Sequence, residues 1–169
     1  MGIVAVAAAM ATEIERKYLV NTALWRPADA GIRYSQGYLS LAKERVVRVR
    51  VAGTKGFLTI KGPSFGIRQF EYPIPLDDAA AMLEGLCERP LIDKTRHREM
   101  HGGHVWEIDV FHGENDGLVL AEIELKSVDE RFVLPPWIDQ EVSNDPRYFN
   151  NNLITHPFKT WGKATKGAH

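Results

Sequence analysis

The chain has 169 residues, 44% of them hydrophobic and 25% charged, with a formal net charge of −1. That length suits one domain with a real core, and the near-zero balance of charge excludes binding driven by bulk attraction to nucleic acid or an acidic membrane. The single cysteine, Cys87, has no partner within the chain, so no internal disulfide is expected and a reducing cytoplasm fits.

Residues 1–11 open on an apolar run that lacks the basic stretch and length of a secretion signal and is far too short to span a membrane. They are read as a flexible extension before a domain at 12–155, with 156–169 as a tail. No later run reaches membrane-spanning length. Alternating patterns predict eight strands, at 13–20, 33–41, 45–52, 56–62, 68–74, 92–99, 104–112 and 118–126. Three glycine-containing connections, Gly53-Thr54-Lys55-Gly56, Gly62-Pro63-Ser64-Phe65-Gly66 and His101-Gly102-Gly103-His104, favour antiparallel neighbours. A helix capped by Asp77 or Asp78 is predicted through Cys87, with Ala79, Ala80, Met82, Leu83 and Leu86 as its apolar stripe. A second begins near Asp145-Pro146 and runs through Leu153-Ile154, and a short one follows Ser127. The fold class is α+β, dominated by antiparallel sheet.

Side chains in an extended strand alternate between faces, so Glu13, Glu15 and Lys17 share one. Arg48/Arg50, Thr59/Lys61, Glu71, Lys94/Arg96, Glu107/Asp109 and Glu122/Glu124 repeat that arrangement, each beside an aliphatic or aromatic neighbour on the other face. An ordinary solvated face mixes polar residues and pairs opposite charges across strands. Here the strands carry like-charge doublets, which are costly unless a ligand neutralises them. An eight-stranded closed antiparallel barrel with these faces inward and a few helices outside would make a charged tunnel and remove exposed edges.

Magnesium and manganese take hard oxygen ligands, a few carboxylates with waters and phosphate oxygens completing the shell. Glu13, Glu15, Glu107, Asp109, Glu122 and Glu124 exceed the needs of one metal. A linear triphosphate needs cations that stay charged, and Arg48, Arg50, Lys61, Lys94 and Arg96, with Lys17, supply them. Phosphoryl transfer demands mostly positioning and charge stabilisation. With no serine, cysteine or histidine constellation for covalent catalysis, direct attack by water is favoured.

With these residues assembled, the chain resembles the CYTH superfamily, the triphosphate tunnel metalloenzymes, whose signature is an N-terminal Glu-x-Glu-x-Lys strand, here Glu13-Ile14-Glu15-Arg16-Lys17. The likeness continues through Gln36-Gly37-Tyr38-Leu39, Arg48-Val49-Arg50, Thr59-Ile60-Lys61-Gly62, Glu71-Tyr72, Lys94-Thr95-Arg96-His97, Trp106-Glu107-Ile108-Asp109, Glu122-Ile123-Glu124 and Pro135-Pro136-Trp137. The resemblance implies an eight-stranded tunnel, usually homodimeric, that binds a triphosphate and Mg²⁺ or Mn²⁺. It implies phosphate binding by the basic strands and metal binding by Glu13, Glu15, Glu122 and Glu124, with Glu71 and Asp109 placing metal or water. Lys17 and Tyr38 match groups near the attacked phosphate, and residues 147–153 match a helix that plugs one tunnel mouth. Arg68 departs from the pattern, preceding Glu71 by three residues where the family has two.

The short bacterial members most similar to this chain are inorganic triphosphatases, so hydrolysis of tripolyphosphate to pyrophosphate and phosphate is the leading expectation. The alternatives are thiamine triphosphate hydrolysis, a class IV adenylate cyclase reaction, for which no base-binding cluster is evident, and a non-catalytic polyphosphate or nucleotide-binding module. His101 and His104 read as a turn rather than a zinc site, and His97 as packing outside the tunnel. Trp25, Trp106, Trp137 and Trp161 read as outer packing or dimer contacts.

Overall fold

A computed structural model describes residues 14–63 and 69–163, and in it all eight expected strands form, joined by a ninth. The strands are β1 (Ile14–Val20), β2 (Ile32–Ser40), β3 (Val46–Ala52), β4 (Lys55–Lys61), β5 (Gln69–Ile74), β6 (Ile92–His101), β7 (His104–Phe111), β8 (Val119–Leu125) and β9 (Ile138–Glu141). Glu13, Arg68 and most of the connection at 62–66 lie outside the described residues.

The strands form one antiparallel sheet in the order β5-β4-β3-β2-β6-β7-β8-β1-β9. The expected closed barrel of eight strands is not formed: among the described residues the sheet is open, with β5 and β9 as its edges. The reason is local. A strand has two hydrogen-bonding edges, and those of β1 are taken by β8 and by β9, so β1 is unavailable to β5. Two-residue turns tighten two of the hairpins: Gly102 and Gly103 both have positive φ, 56° and 81°, as a primed turn requires.

Among the described residues two α-helices accompany the sheet, α1 (Leu76–Gly85) and α2 (Asn150–Thr155). Asp77 and Asp78 do not cap α1. Pro75 holds the cap position, and the two acids sit in the first turn, where their charge complements the helix dipole. The expected second helix is split into a 3-10 turn at Pro146–Tyr148 and α2, because Phe149 between them is extended (φ −76°, ψ 138°). The short helix expected after Ser127 does not form. No helix of the described residues is long and apolar enough to cross a membrane.

Register separates the two faces cleanly. Val49, Ile108 and Ile123 fall on the apolar face, and their neighbours Arg48, Glu107 and Glu122 on the other. On one half of the apolar face α1 packs through Ala79 and Leu83 onto Val49. On the other half Trp25, Trp106 and Trp137 close a cluster with Tyr18, Ile108 and Ile123. A third cluster lies on the charged face, at one end only: Tyr38, Ile92, Phe111 and Leu120 pack against Val142, Tyr148, Leu153 and Ile154. The C-terminal segment therefore plugs one end of the charged face.

Gly56 lets α1 approach β4 closely, since a Cβ there would lie 2.9 Å from Ala79 Cβ and 3.0 Å from the Ile74 carbonyl oxygen. Gly56→Ala is expected to destabilise the fold by about 1–3 kcal/mol in urea denaturation. Gly85→Ala, in the helix with nothing within 4 Å of the added carbon, is expected to be neutral or to stabilise by roughly 0.5–1 kcal/mol. Equal midpoints for the two variants would contradict this packing.

Candidate functional site

Pairing across β1, β8 and β7 sets the acids side by side. Glu15 stands opposite Glu124, Lys17 opposite Glu122, and Glu122 opposite Glu107. Lys17 is buried, its Nζ 3.2 Å from Glu122 Oε1 and donating to the Tyr148 carbonyl at 3.2 Å, so the C-terminal plug holds it from above. Glu15 keeps contact with solvent, yet the protein around it and then the Glu122 carboxylate push it up to about 7, against the pull of Lys17 and Arg96.

The centre of the face is a buried network on β6 and β7. Lys94 Nζ donates to Asp109 Oδ2 at 2.7 Å, while Arg96 donates from Nε to Oδ1 at 2.7 Å and from Nη2 to Oδ2 at 2.8 Å. Burial alone would push Asp109 up, but Lys94 and Arg96 outweigh it and hold its carboxyl well below the usual carboxylate range. Arg96 also reaches Glu107 at 3.2 Å, whose other oxygen accepts from Arg98 at 2.9 Å.

The basic half continues on β2, β3 and β4. Arg48 donates to Thr59 Oγ1 at 3.2 Å and lies 3.6 Å from Glu71, and the Thr59 hydroxyl donates to the same Glu71 oxygen at 2.9 Å. Arg50 Nε donates to Gln36 Oε1 at 3.3 Å. Burial, then Arg48 and Arg96, push Arg50 down to about 10. The Arg50 and Arg96 guanidinium groups both lie over the Tyr34 ring, 5.5 and 5.1 Å from its centroid. Tyr38, opposite Arg48, is buried and pushed up by that burial against the pull of Arg48 and Arg50. Lys61 stands opposite Gln69 near the β5 edge.

One face thus collects Lys17, Arg48, Arg50, Lys61, Lys94 and Arg96 beside Glu15, Glu107, Asp109, Glu122, Glu124 and Glu71. Its centre is removed from water, Lys94 being 0% and Asp109 1% exposed, while Glu15, Glu71 and Glu124 are exposed. The profile of the CYTH domain matches residues 11–158 of this sequence. The chain belongs to the CYTH domain family. A relative from Acetivibrio thermocellus named inorganic triphosphatase is 46% identical over 154 residues, 90% of this chain and 99% of the relative. One of the same name from Nitrosomonas europaea is 37% identical over 147 residues, 84% of this chain and 96% of the relative. The crystal structure of an inorganic triphosphatase aligns with a TM-score of 0.66 at 33% identity, covering 85% of this chain and 94% of that one.

Within this CYTH domain the acids separate by partner. Asp109, Glu107 and Glu71, expected to bind or place metal, are engaged by Lys94 and Arg96, by Arg96 and Arg98, and by Thr59 and Arg48. Among the described residues no three metal-ligating side chains gather closely enough to hold an ion by themselves. The Glu15–Glu122 pair remains, and its chemistry fits a hard divalent cation, which needs only one or two carboxylates when water and phosphate complete the shell. Sequence reading gave no site role to Tyr34, Gln36, Arg98 or the Tyr148 carbonyl. Parity with Tyr38 and with Arg96 would have found the first three.

The remaining candidates are structural. His97 packs on the apolar face against Trp25, with ring centroids 5.4 Å apart, and meets Asp29 at 3.2 Å. His104 Nε2 is 2.8 Å from Glu130 at the hairpin. Trp161 departs from the other tryptophans by packing on Tyr148 at 5.1 Å in the plug.

Two stability measurements check these assignments. Asp109→Asn leaves Lys94 and Arg96 buried without their counter-charge, so a loss of about 3–5 kcal/mol is expected at pH 7. Because the Asp109 carboxyl is depressed when folded, the gap is expected to narrow as pH falls below 3.8, its ordinary value. Glu15 has the opposite sign. Raised from 4.5 to about 7, it costs the fold stability as pH climbs through that window. Glu15→Gln is therefore expected to match the wild type near pH 4 and exceed it above pH 7 by roughly 1 kcal/mol, a figure discounted for the solvent contact of this carboxylate. Added Mg²⁺ is expected to shrink that difference.

Proposed function

We propose that this protein hydrolyses a linear triphosphate, inorganic tripolyphosphate to pyrophosphate and phosphate, with Mg²⁺ or Mn²⁺ as cofactor. The observation that carries the proposal is one face on which a row of cations adjoins the neighbouring carboxylates of Glu15 and Glu122. The names of the two relatives support the same activity. Lys17, Arg48, Arg50, Lys61, Lys94 and Arg96 hold the phosphate oxygens. Glu15 and Glu122, with Glu13 and Glu124 beside them in the strand pattern, hold the metal, which when bound neutralises phosphate charge. Asp109 and Glu107 are reassigned from metal ligands to groups that fix Lys94, Arg96 and Arg98.

The open sheet is a cradle in this reading, stopped at one end by the plug. Water attacks a terminal phosphorus, the bond from that phosphorus to the bridging oxygen breaks, and one proton is released. Tyr38, kept protonated by burial, donates to a phosphate oxygen. Lys17, fixed by Glu122 and the Tyr148 carbonyl, steadies the attacked phosphate. Glu71, at the open β5 edge, orients the water and takes its proton. A homodimer belongs to the same proposal, with the exposed Tyr72 of β5 available for contact.

The test is phosphate and cyclic AMP release from tripolyphosphate, thiamine triphosphate and ATP, each with and without Mg²⁺ or Mn²⁺. Metal-dependent phosphate release strongest on tripolyphosphate is expected. Glu122→Gln is expected to lose at least on the order of 10–100-fold, the loss typical of groups that support metal ligands. Cyclic AMP as the main product, or full activity in that variant, would overturn the proposal.

A further inference from the structure

Lys17, Arg48, Lys94 and Arg96 each lie within ion-pair distance of a carboxylate. Arg50 forms no such pair among the described residues, and its hydrogen-bond partner is the neutral Gln36. Gln36 is 0% exposed, and its buried Nε2 makes no hydrogen bond of good geometry, although the side chain also acts on the neighbouring Tyr38 hydroxyl. The amide cannot turn around, because Nε2 would then face the Arg50 Nε–H, donor against donor. A glutamate of the same shape would accept from Arg50 equally well and would leave no orphaned donor. On grounds of folding alone, the amide is the poorer choice at this position.

We propose that Gln36 is a positioning residue that aims Arg50 at the substrate anion while leaving its charge uncancelled, which makes Arg50 the principal anchor for a phosphate group. The inference rests on the triphosphatase reading and extends it to a residue with no charge of its own. A charged partner would orient Arg50 and also neutralise it. The amide orients without neutralising, and stability is given up for anion affinity.

The experiment is calorimetric binding of tripolyphosphate to the metal-free full chain, with thermal denaturation in parallel. Gln36→Glu is expected to melt at or above the wild-type temperature and to bind tripolyphosphate about tenfold or more weakly, the loss of one charge-assisted hydrogen bond. Gln36→Met, which removes the acceptor without adding charge, is expected to lose less. In an Arg50→Gln background, Gln36→Glu is expected to cost less than about threefold, because its effect runs through Arg50.

Binding by Gln36→Glu within twofold of wild type would overturn the inference, as would a melting temperature below wild type. A loss in Gln36→Met equal to that in Gln36→Glu would show that charge is not the point. An undiminished loss in the Arg50→Gln background would mean general repulsion. A wild-type chain that neither binds nor hydrolyses tripolyphosphate would remove the triphosphatase reading itself, whereas a binding wild type matched by Gln36→Glu removes only this inference.

Discussion

Asp109 sits at the centre of the charged face, accepting from Lys94 once and from Arg96 twice while almost wholly removed from water. Taking such charges out of solvent costs several kcal/mol per ion, and three short hydrogen bonds to charged donors offset it. The cations on either side are arranged from this point outward. Arg96 shares Tyr34 with Arg50, and Glu107 links Arg96 to Arg98. A sheet with so much charge on one side needs strong apolar packing on the other, and the tryptophan cluster and α1 divide that task between its two halves.

The strand alternation made most of this legible in the sequence. A period of two fixes a side chain's face once the strand is recognised, so Glu15, Lys17, Arg48, Arg50, Lys94, Arg96 and Glu122 could be grouped without knowing which strand neighbours which. The glycine pairs at 53–56 and 101–104 marked two hairpins for the same local reason. What alternation cannot show is partner choice. β9 carries Asp139, Gln140 and Glu141, a stretch too polar and too short to read as a strand, and its pairing with β1 is decided by tertiary contact. The open sheet follows from that pairing and was invisible for the same cause. Asp77 and Asp78 looked like caps because carboxylates favour both the cap and the first turn, and Pro75 took the first place.

The acids illustrate a second limit. Same-charge doublets point to a ligand, yet they do not say which carboxylate meets the ligand and which meets a neighbouring cation. Asp109 and Glu122 are alike in sequence context, each on a strand beside a second acid. Register gives Asp109 the full attention of two cations and leaves Glu122 facing Glu15 and Lys17. The distinction between an acid engaged by two cations and one that also faces another acid is thus a property of strand order, which only the folded chain reveals.

The Lys17 side chain is held by a carbonyl 131 residues further along, and its strand finds both partners, β8 and β9, late in the chain. During synthesis β1 therefore emerges first and waits, unpaired, until almost the whole domain has been made, a topology of high contact order that favours slow folding. The hairpins from β2 to β5 close locally in the meantime, so the basic half of the face is assembled before the acidic half. A nascent chain halted before β7 holds Arg48, Arg50, Lys94 and Arg96 but lacks Asp109, Glu107 and Glu122, so most of its cations stand without the acids that the finished sheet sets beside them.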